Sequence, residues 1–178
     1  LQCLLINTQL SKFNNTKSLS EKEILKEALS IIDLPQELKL VKINNKNFNQ
    51  YVDQIKKIQD KNYEELRRTD LNVFLSVINA SSNICLGIEF EGELIAISFS
   101  GPINSFTNER GLKTDSNYDN ENYFYCMDTT VNEEYRKLGI GQYLKYLIKL
   151  LASSKNIEAL TGRNRQVFVK ICRKYVYL

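Results

Sequence analysis

Between a β-rich run ending at Val131 and an apolar helical stripe starting near Ile140 lies Arg136-Lys137-Leu138-Gly139-Ile140-Gly141, the pattern RxxGxG. The two glycines leave the backbone bare, so N–H groups of a first helical turn can converge on an anion, and the helix dipole adds to the attraction. Arg136 and Lys137 supply positive charge beside it, which suits a pyrophosphate. The GxxxxGK[ST] spacing is absent and no GxGxxG follows a strand, so Walker-type and Rossmann sites are disfavoured. Such a pattern arises by chance in roughly one chain in twenty-five of this length, and a pair of helix-capping glycines is the bland alternative. The context raises it: a strand before, an amphipathic helix after, and Asn164 at the end of the next strand.

The residues that are missing narrow the chemistry. The 178-residue chain has no histidine, which removes Ser-His-Asp and Cys-His nucleophilic sites, a His general base and His-containing metal sites. Cys3, Cys85, Cys126 and Cys172 form no CxxC pair and read as buried thiols of a reducing compartment. With 24 Lys+Arg against 21 Asp+Glu, the net charge of +3 is too small to imply nucleic acid or an anionic membrane. No apolar run reaches the ~20 residues of a membrane helix and LQCLLINTQL lacks a signal peptide's basic flank, so a cytoplasmic protein without a membrane partner is expected. Because residue 1 is Leu, the chain reads as an excised or processed fragment.

The elements that must hold the glycine loop follow from periodicity. Ser20 with Glu23 forms a capping box for a helix over about 21–32, ended by Leu34-Pro35. Residues 38–43 alternate as a strand. Spacings of three and four from Phe48 to Ile58, and again from Tyr63 to Leu66, predict two helices, with Leu71–Ile78 continuing the helical region. ICLGIEF and ELIAISFS, parted only by Glu91-Gly92, predict a hairpin. The polar stretch 101–122 is long for a hairpin loop and reads as functional or disordered. YFYCMDTTV is a strand, Ile140 to Leu151 a long amphipathic helix, 157–161 a short strand and 165–175 a helix. The order β, α, α, β, β, β, α, β, α is an α/β sandwich around a mixed sheet. An N-terminal helical extension over 1–36 precedes a main domain over 37–178.

These residues resemble the GNAT superfamily of N-acetyltransferases, from about Leu38 to Tyr177 and most closely over Tyr123–Asn164. The resemblance implies a GNAT-like mixed central sheet flanked by helices, with acetyl-CoA as co-substrate and no metal. It further implies that Thr129, Thr130 and Val131 hydrogen-bond the pantetheine arm through backbone groups of a strand that splays from its neighbour. Lys137, Leu138, Gly139, Ile140, Gly141 and Gln142 would cradle the pyrophosphate, Arg136 would lend charge, and Asn164 matches the Asn that often ends the next strand. Two departures stand out. Ile171 occupies the position where the family often carries a Tyr that protonates the leaving thiolate, with Tyr175 one turn further. The family's two strands after the last helix are also missing, so the sheet is completed by another chain, as in a homodimer, or by a rearranged N-terminus, or the fragment is truncated.

An amine acceptor must lose a proton before attacking a thioester, at about 4 to 5 kcal/mol for a Lys-like amine at pH 7 and roughly 1 for an α-amine. Without histidine the base is Asp, Glu, Tyr or ordered water. Asp128 and Tyr175 rank first as catalytic residues. Strand alternation sets Asp128 on the face opposite Val131 and puts Tyr125 with Met127, Thr129 and Val131, which counts against Asp128 as a direct base. Tyr125 as packing and Glu158 as a solvated side chain are the plainer readings. Glu109, Asp115, Asp119 and Glu121 of the long loop could select a cationic amine. Arg163, Arg165, Lys170, Arg173 and Lys174 could meet a 3′-phosphate or a charged tRNA, the one nucleic-acid partner allowed for. Solvated faces explain both sets as well. Two functions fit: an acetyl-CoA-dependent N-acetyltransferase acting on a small-molecule or protein amine, and a catalytically silent acyl-CoA-binding sensor or scaffold.

Overall fold

The computed structural model describes residues 20, 22–24, 26, 37–80, 82–107, 109, 112–155 and 157–162. Within them the strands β1 (Leu38–Lys42), β2 (Ile84–Phe90), β3 (Glu93–Pro102), β4 (Tyr123–Val131) and β5 (Ala159–Gly162) lie side by side in chain order. The first four pair antiparallel and β4 pairs parallel with β5. Helices α1 (Phe48–Asn62) and α2 (Leu71–Asn79) connect β1 to β2, and α3 (Ile140–Ser154) makes the crossover from β4 to β5. This is the expected order as far as β5. The helix expected over 165–175 lies outside the described residues, as do Cys3 and Cys172.

Two apolar layers sandwich the sheet. On one face Tyr51, Ile55 and Ile58 of α1 and Phe74, Val77 and Ile78 of α2 bury Val41, Cys85, Ile97, Phe99 and Tyr125. On the other, Ile140, Leu144, Leu147, Ile148 and Leu151 of α3 cover Ile84, Leu86, Ile88, Ala96 and Phe124. Ile24, in the helical residues 22–24, is fully buried in that second layer, while Lys22 and Glu23 are exposed. Ser20 and Glu23 form the capping box, with Ser20 N donating to Glu23 Oε2 at 2.8 Å and Glu23 N to Ser20 Oγ at 3.4 Å. Phe74 and Phe99, both fully buried, meet edge-on with centroids 4.8 Å apart. Phe74→Ala is expected to cost about 3 to 5 kcal/mol of unfolding free energy, checked by urea denaturation.

Three local outcomes bear on the site. The Glu91-Gly92 hairpin forms, with φ of 51° and 83° at its two turn residues. The helix expected over Tyr63–Leu66 does not. Instead α1 ends at Asn62, Tyr63 is extended, Glu65–Arg67 make a 3₁₀ turn, and Leu66 is fully exposed. Apolar spacing alone cannot distinguish a helix from a turn whose Leu buries nothing. Most important, β4 carries a bulge. Phe99 pairs with Asp128 but Ser100 pairs with Cys126, leaving Met127 as an extra residue. One inserted residue exchanges the two faces of a strand.

Candidate active site

The bulge corrects the alternation expected for β4. Tyr125 packs on the α1 and α2 side, edge-on to Phe106 with centroids 5.2 Å apart. Beyond Met127, Asp128 and Thr130 also face α1, while Val131 packs toward α3. Thr129 keeps company with Cys126, whose Sγ lies 3.2 Å from Thr129 Oγ1. Tyr125 therefore shares a face with Asp128 and not with Thr129 and Val131. Asp128 remains opposite Val131, as expected, but on the face where two helices close over it.

Asp128 is 6% exposed and collects three donors. Gln59 Nε2 of α1 donates to Oδ2 at 2.5 Å, Thr130 Oγ1 to Oδ1 at 2.5 Å, and the Tyr63 hydroxyl to Oδ1 at 3.2 Å. Donors alone suit the ionised carboxylate. Burial nevertheless pushes its pKa above the usual carboxylate range, with the bonds from Thr130, Gln59 and Tyr63 pulling the other way. A carboxyl raised in this way is a stronger proton acceptor than an exposed one. Gln59 and Tyr63 escaped notice in the sequence. The available signal was Gln59 itself, a polar residue that continues the four-residue spacing of Tyr51 and Ile55 on the buried face of α1.

β3 accompanies β4 to Val131, and β5 pairs with Tyr123–Cys126 as far as the described residues run. Thr129, Thr130 and Val131 form the C-terminal end of β4, directly before the glycine loop. The loop that follows turns through Lys137 (φ 68°) and Gly139 (φ 83°) into α3. A Cβ on Gly139 would meet nothing within 4 Å, while one on Gly141 would meet Val131 Cγ2 at 3.5 Å. Gly139 provides the left-handed turn and open space, whereas a side chain at Gly141 would make only ordinary contact with the end of β4. No side chain caps α3 and no acidic residue occupies its first turn. The side chain of Ile140 is buried in the core, so only its backbone faces the loop, whereas Lys137, Leu138 and Gln142 are exposed.

Arg136 does something the motif did not indicate. Its Nε donates to the Val131 carbonyl at 3.2 Å and its Nη2 to Asn62 Oδ1 at 2.5 Å. Asn62 Nδ2 in turn reaches Ile58 O at 2.8 Å and Asn132 Oδ1 at 3.2 Å. The guanidinium fastens the loop to the last turn of α1. Arg136→Ala is expected to lower stability by about 1 kcal/mol, read as a lower urea midpoint at an unchanged m-value.

The remaining candidates separate. Glu158 is exposed and accepts from Asn122 Nδ2 at 3.3 Å at the start of β5. Asp115 holds a local turn through Asn117 N at 2.9 Å, and Asp119 and Glu121 are exposed. The long loop itself is anchored, with Ile103, Phe106 and Leu112 buried in the α1-side core. Asn164, Tyr175, Ile171 and the basic cluster of Arg163, Arg165, Lys170, Arg173 and Lys174 lie outside the described residues. Cys85 is buried, which pushes its thiol up to about 12 and makes it inert. Among the described residues no group of acidic or cysteine side chains could hold a metal ion, and no helix is long and apolar enough to cross a membrane.

No protein-family model matches the chain, and no match was found among curated proteins. Solved structures do match. An aminoglycoside acetyltransferase from an uncultured soil metagenomic sample, in complex with trehalose, aligns at a TM-score of 0.55 and 14% identity, covering 80% of this chain and 88% of that one. A GNAT family acetyltransferase of Staphylococcus aureus aligns at 0.52 and 18%, covering 74% and 89%. The aminoglycoside N-acetyltransferase AAC(6')-Iy in complex with CoA aligns at 0.54 and 10%, covering 80% and 89%. The five-stranded mixed sheet flanked by helices has the fold of these GNAT acetyltransferases.

Proposed function

We propose that this protein is an acetyl-CoA-dependent N-acetyltransferase that acetylates an amine of a small molecule or protein by direct attack. The carrying observation is the end of β4 running through the Gly139 turn into an uncapped, non-acidic α3 N-terminus, with a buried carboxylate on the same strand. Thr129, Thr130 and Val131 offer backbone groups to a pantetheine arm. Residues 137–142 offer N–H groups, the dipole of α3 and the Lys137 charge to a pyrophosphate. Asn164 is assigned to the same site. Arg136 serves it indirectly, by fixing the loop to α1.

Asp128 is the base in this reading. It takes the acceptor's proton, the nitrogen forms the amide C–N bond as the thioester C–S bond breaks, and Tyr175 returns a proton to the departing thiolate. The folds matched above include aminoglycoside acetyltransferases, which makes amino sugars the first acceptors to try. Ile171, where the resemblance calls for a tyrosine, favours the second reading: a domain that binds acyl-CoA without turning it over. Incubating the protein with acetyl-CoA and cell extract, followed by mass spectrometry, tests the first. New acetylated amines that vanish with Asp128→Asn support it, and an unchanged extract speaks for the second.

A further inference from the structure

Asp128 is too deeply buried to meet a bulky acceptor directly, and the hydroxyls around it suggest how a proton reaches it. Thr130 Oγ1 donates its one hydrogen to Asp128 Oδ1 at 2.5 Å. Its lone pairs are then left to accept, and the Tyr63 hydroxyl lies 2.6 Å away. Thr130 is 5% exposed, whereas Tyr63 is only half-buried at the end of α1. The Tyr63 hydroxyl also lies 3.2 Å from Asp128 Oδ1, so the three oxygens form a triangle in which the two shorter contacts, through Thr130, lead from the half-buried phenol to the closed carboxylate. Gln59 holds the far oxygen of Asp128, and its own Oε1 accepts from Thr69 N at 3.0 Å, beyond the Glu65–Arg67 turn.

Building on the acetyltransferase reading above, we infer that Tyr63 and Thr130 form a two-hydroxyl relay that carries the acceptor's proton to Asp128. The proton balance closes. The Tyr63 oxygen gains a proton from the amine and passes its own to Thr130 Oγ1, Thr130 passes its own to Asp128, and both hydroxyls end as they began.

Few charges surround this triangle. The charged residues of α1, Asp53, Lys56, Lys57, Asp60 and Lys61, are all exposed, with Asp60 paired to Arg68 and Lys61 to Glu134. α2 has no charged residue, β4 has none besides Asp128, and β3 has only Glu93, which pairs with Lys57. The other titratable groups of this layer are Tyr51, Cys85, Tyr118, Tyr123 and Tyr125; the Tyr51 hydroxyl donates to Glu89 of β2 at 2.8 Å, Tyr125 packs against Phe106, and Arg68 Nε donates to the Tyr63 carbonyl at 3.2 Å.

The test compares Tyr63→Phe, Thr130→Val and Thr130→Ser with wild type and Asp128→Asn, as pH profiles of kcat/KM for thiol release from acetyl-CoA, with CoA affinity measured alongside. Thr130→Val keeps the β-branched shape and removes the hydroxyl, while Thr130→Ser keeps the hydroxyl. We expect Tyr63→Phe and Thr130→Val to lose roughly 100-fold in kcat/KM at unchanged CoA affinity, and Thr130→Ser to stay near wild type. In both impaired variants the acid limb should move to higher pH, because each removes a donor that favours the ionised carboxylate. Activity and profile near wild type in Tyr63→Phe and Thr130→Val, with Asp128→Asn inactive, would overturn the relay and leave the acetyltransferase reading standing. Absence of thiol release by wild type with every amine would overturn both.

Discussion

Gly141→Glu is expected to abolish acyl-CoA binding while leaving the protein folded. The new side chain has room at its root, since a Cβ there meets only Val131 Cγ2, at an ordinary 3.5 Å. A glutamate in the first turn suits the helix dipole by about 0.3 to 1 kcal/mol, and replacing a helical glycine adds a similar gain, so the melting temperature should not fall. The same carboxylate stands where a pyrophosphate would approach, and like charges brought together cost several kcal/mol, so affinity should drop at least about 100-fold in equilibrium titration. Gly141→Ala should bind as wild type does. Full affinity in the glutamate variant would remove the α3 N-terminus from the site. Gly139 is a poorer probe: at φ 83° any side chain costs about 1 to 2 kcal/mol of backbone strain, so lost binding there would mix two causes.

Asp128→Asn should lower kcat for acetyl transfer by about 10² to 10⁴ with CoA affinity retained, since the asparagine keeps the shape and loses the base. The pH dependence supplies a second signature. Because burial raises the carboxyl above its usual range, wild-type activity should decline as pH falls through that elevated value, earlier than an exposed aspartate would allow. The residual activity of Asp128→Asn should lack that limb. An unaltered kcat would reassign the base to water or to another side chain.

What the sequence disclosed and withheld has a physical pattern. The hairpin was legible because Glu91-Gly92 separates two β-rich runs and its turn needs positive φ at both positions. α3 was legible because Ile140, Leu144, Leu147, Ile148 and Leu151 keep helical spacing over about three turns. The glycine loop could be read because its residues are contiguous. The bulge at Met127 could not, because it is a property of two strands in register, and it reassigned Tyr125 and Asp128 to a shared face. The donors on Asp128 were hidden for the same reason: Gln59 lies 69 positions away in sequence, and Tyr63 lies 65 away. The charge of Arg136 is local information and points to phosphate, whereas its partners Val131 O and Asn62 depend on how α1 ends.

The most direct test of the whole account is free-thiol release from acetyl-CoA by the full chain over a panel of amines, amino sugars included. Amine-dependent release with an equal amount of N-acetylated product is the expected result. Acetyl-CoA that neither binds nor releases thiol with any amine would contradict it.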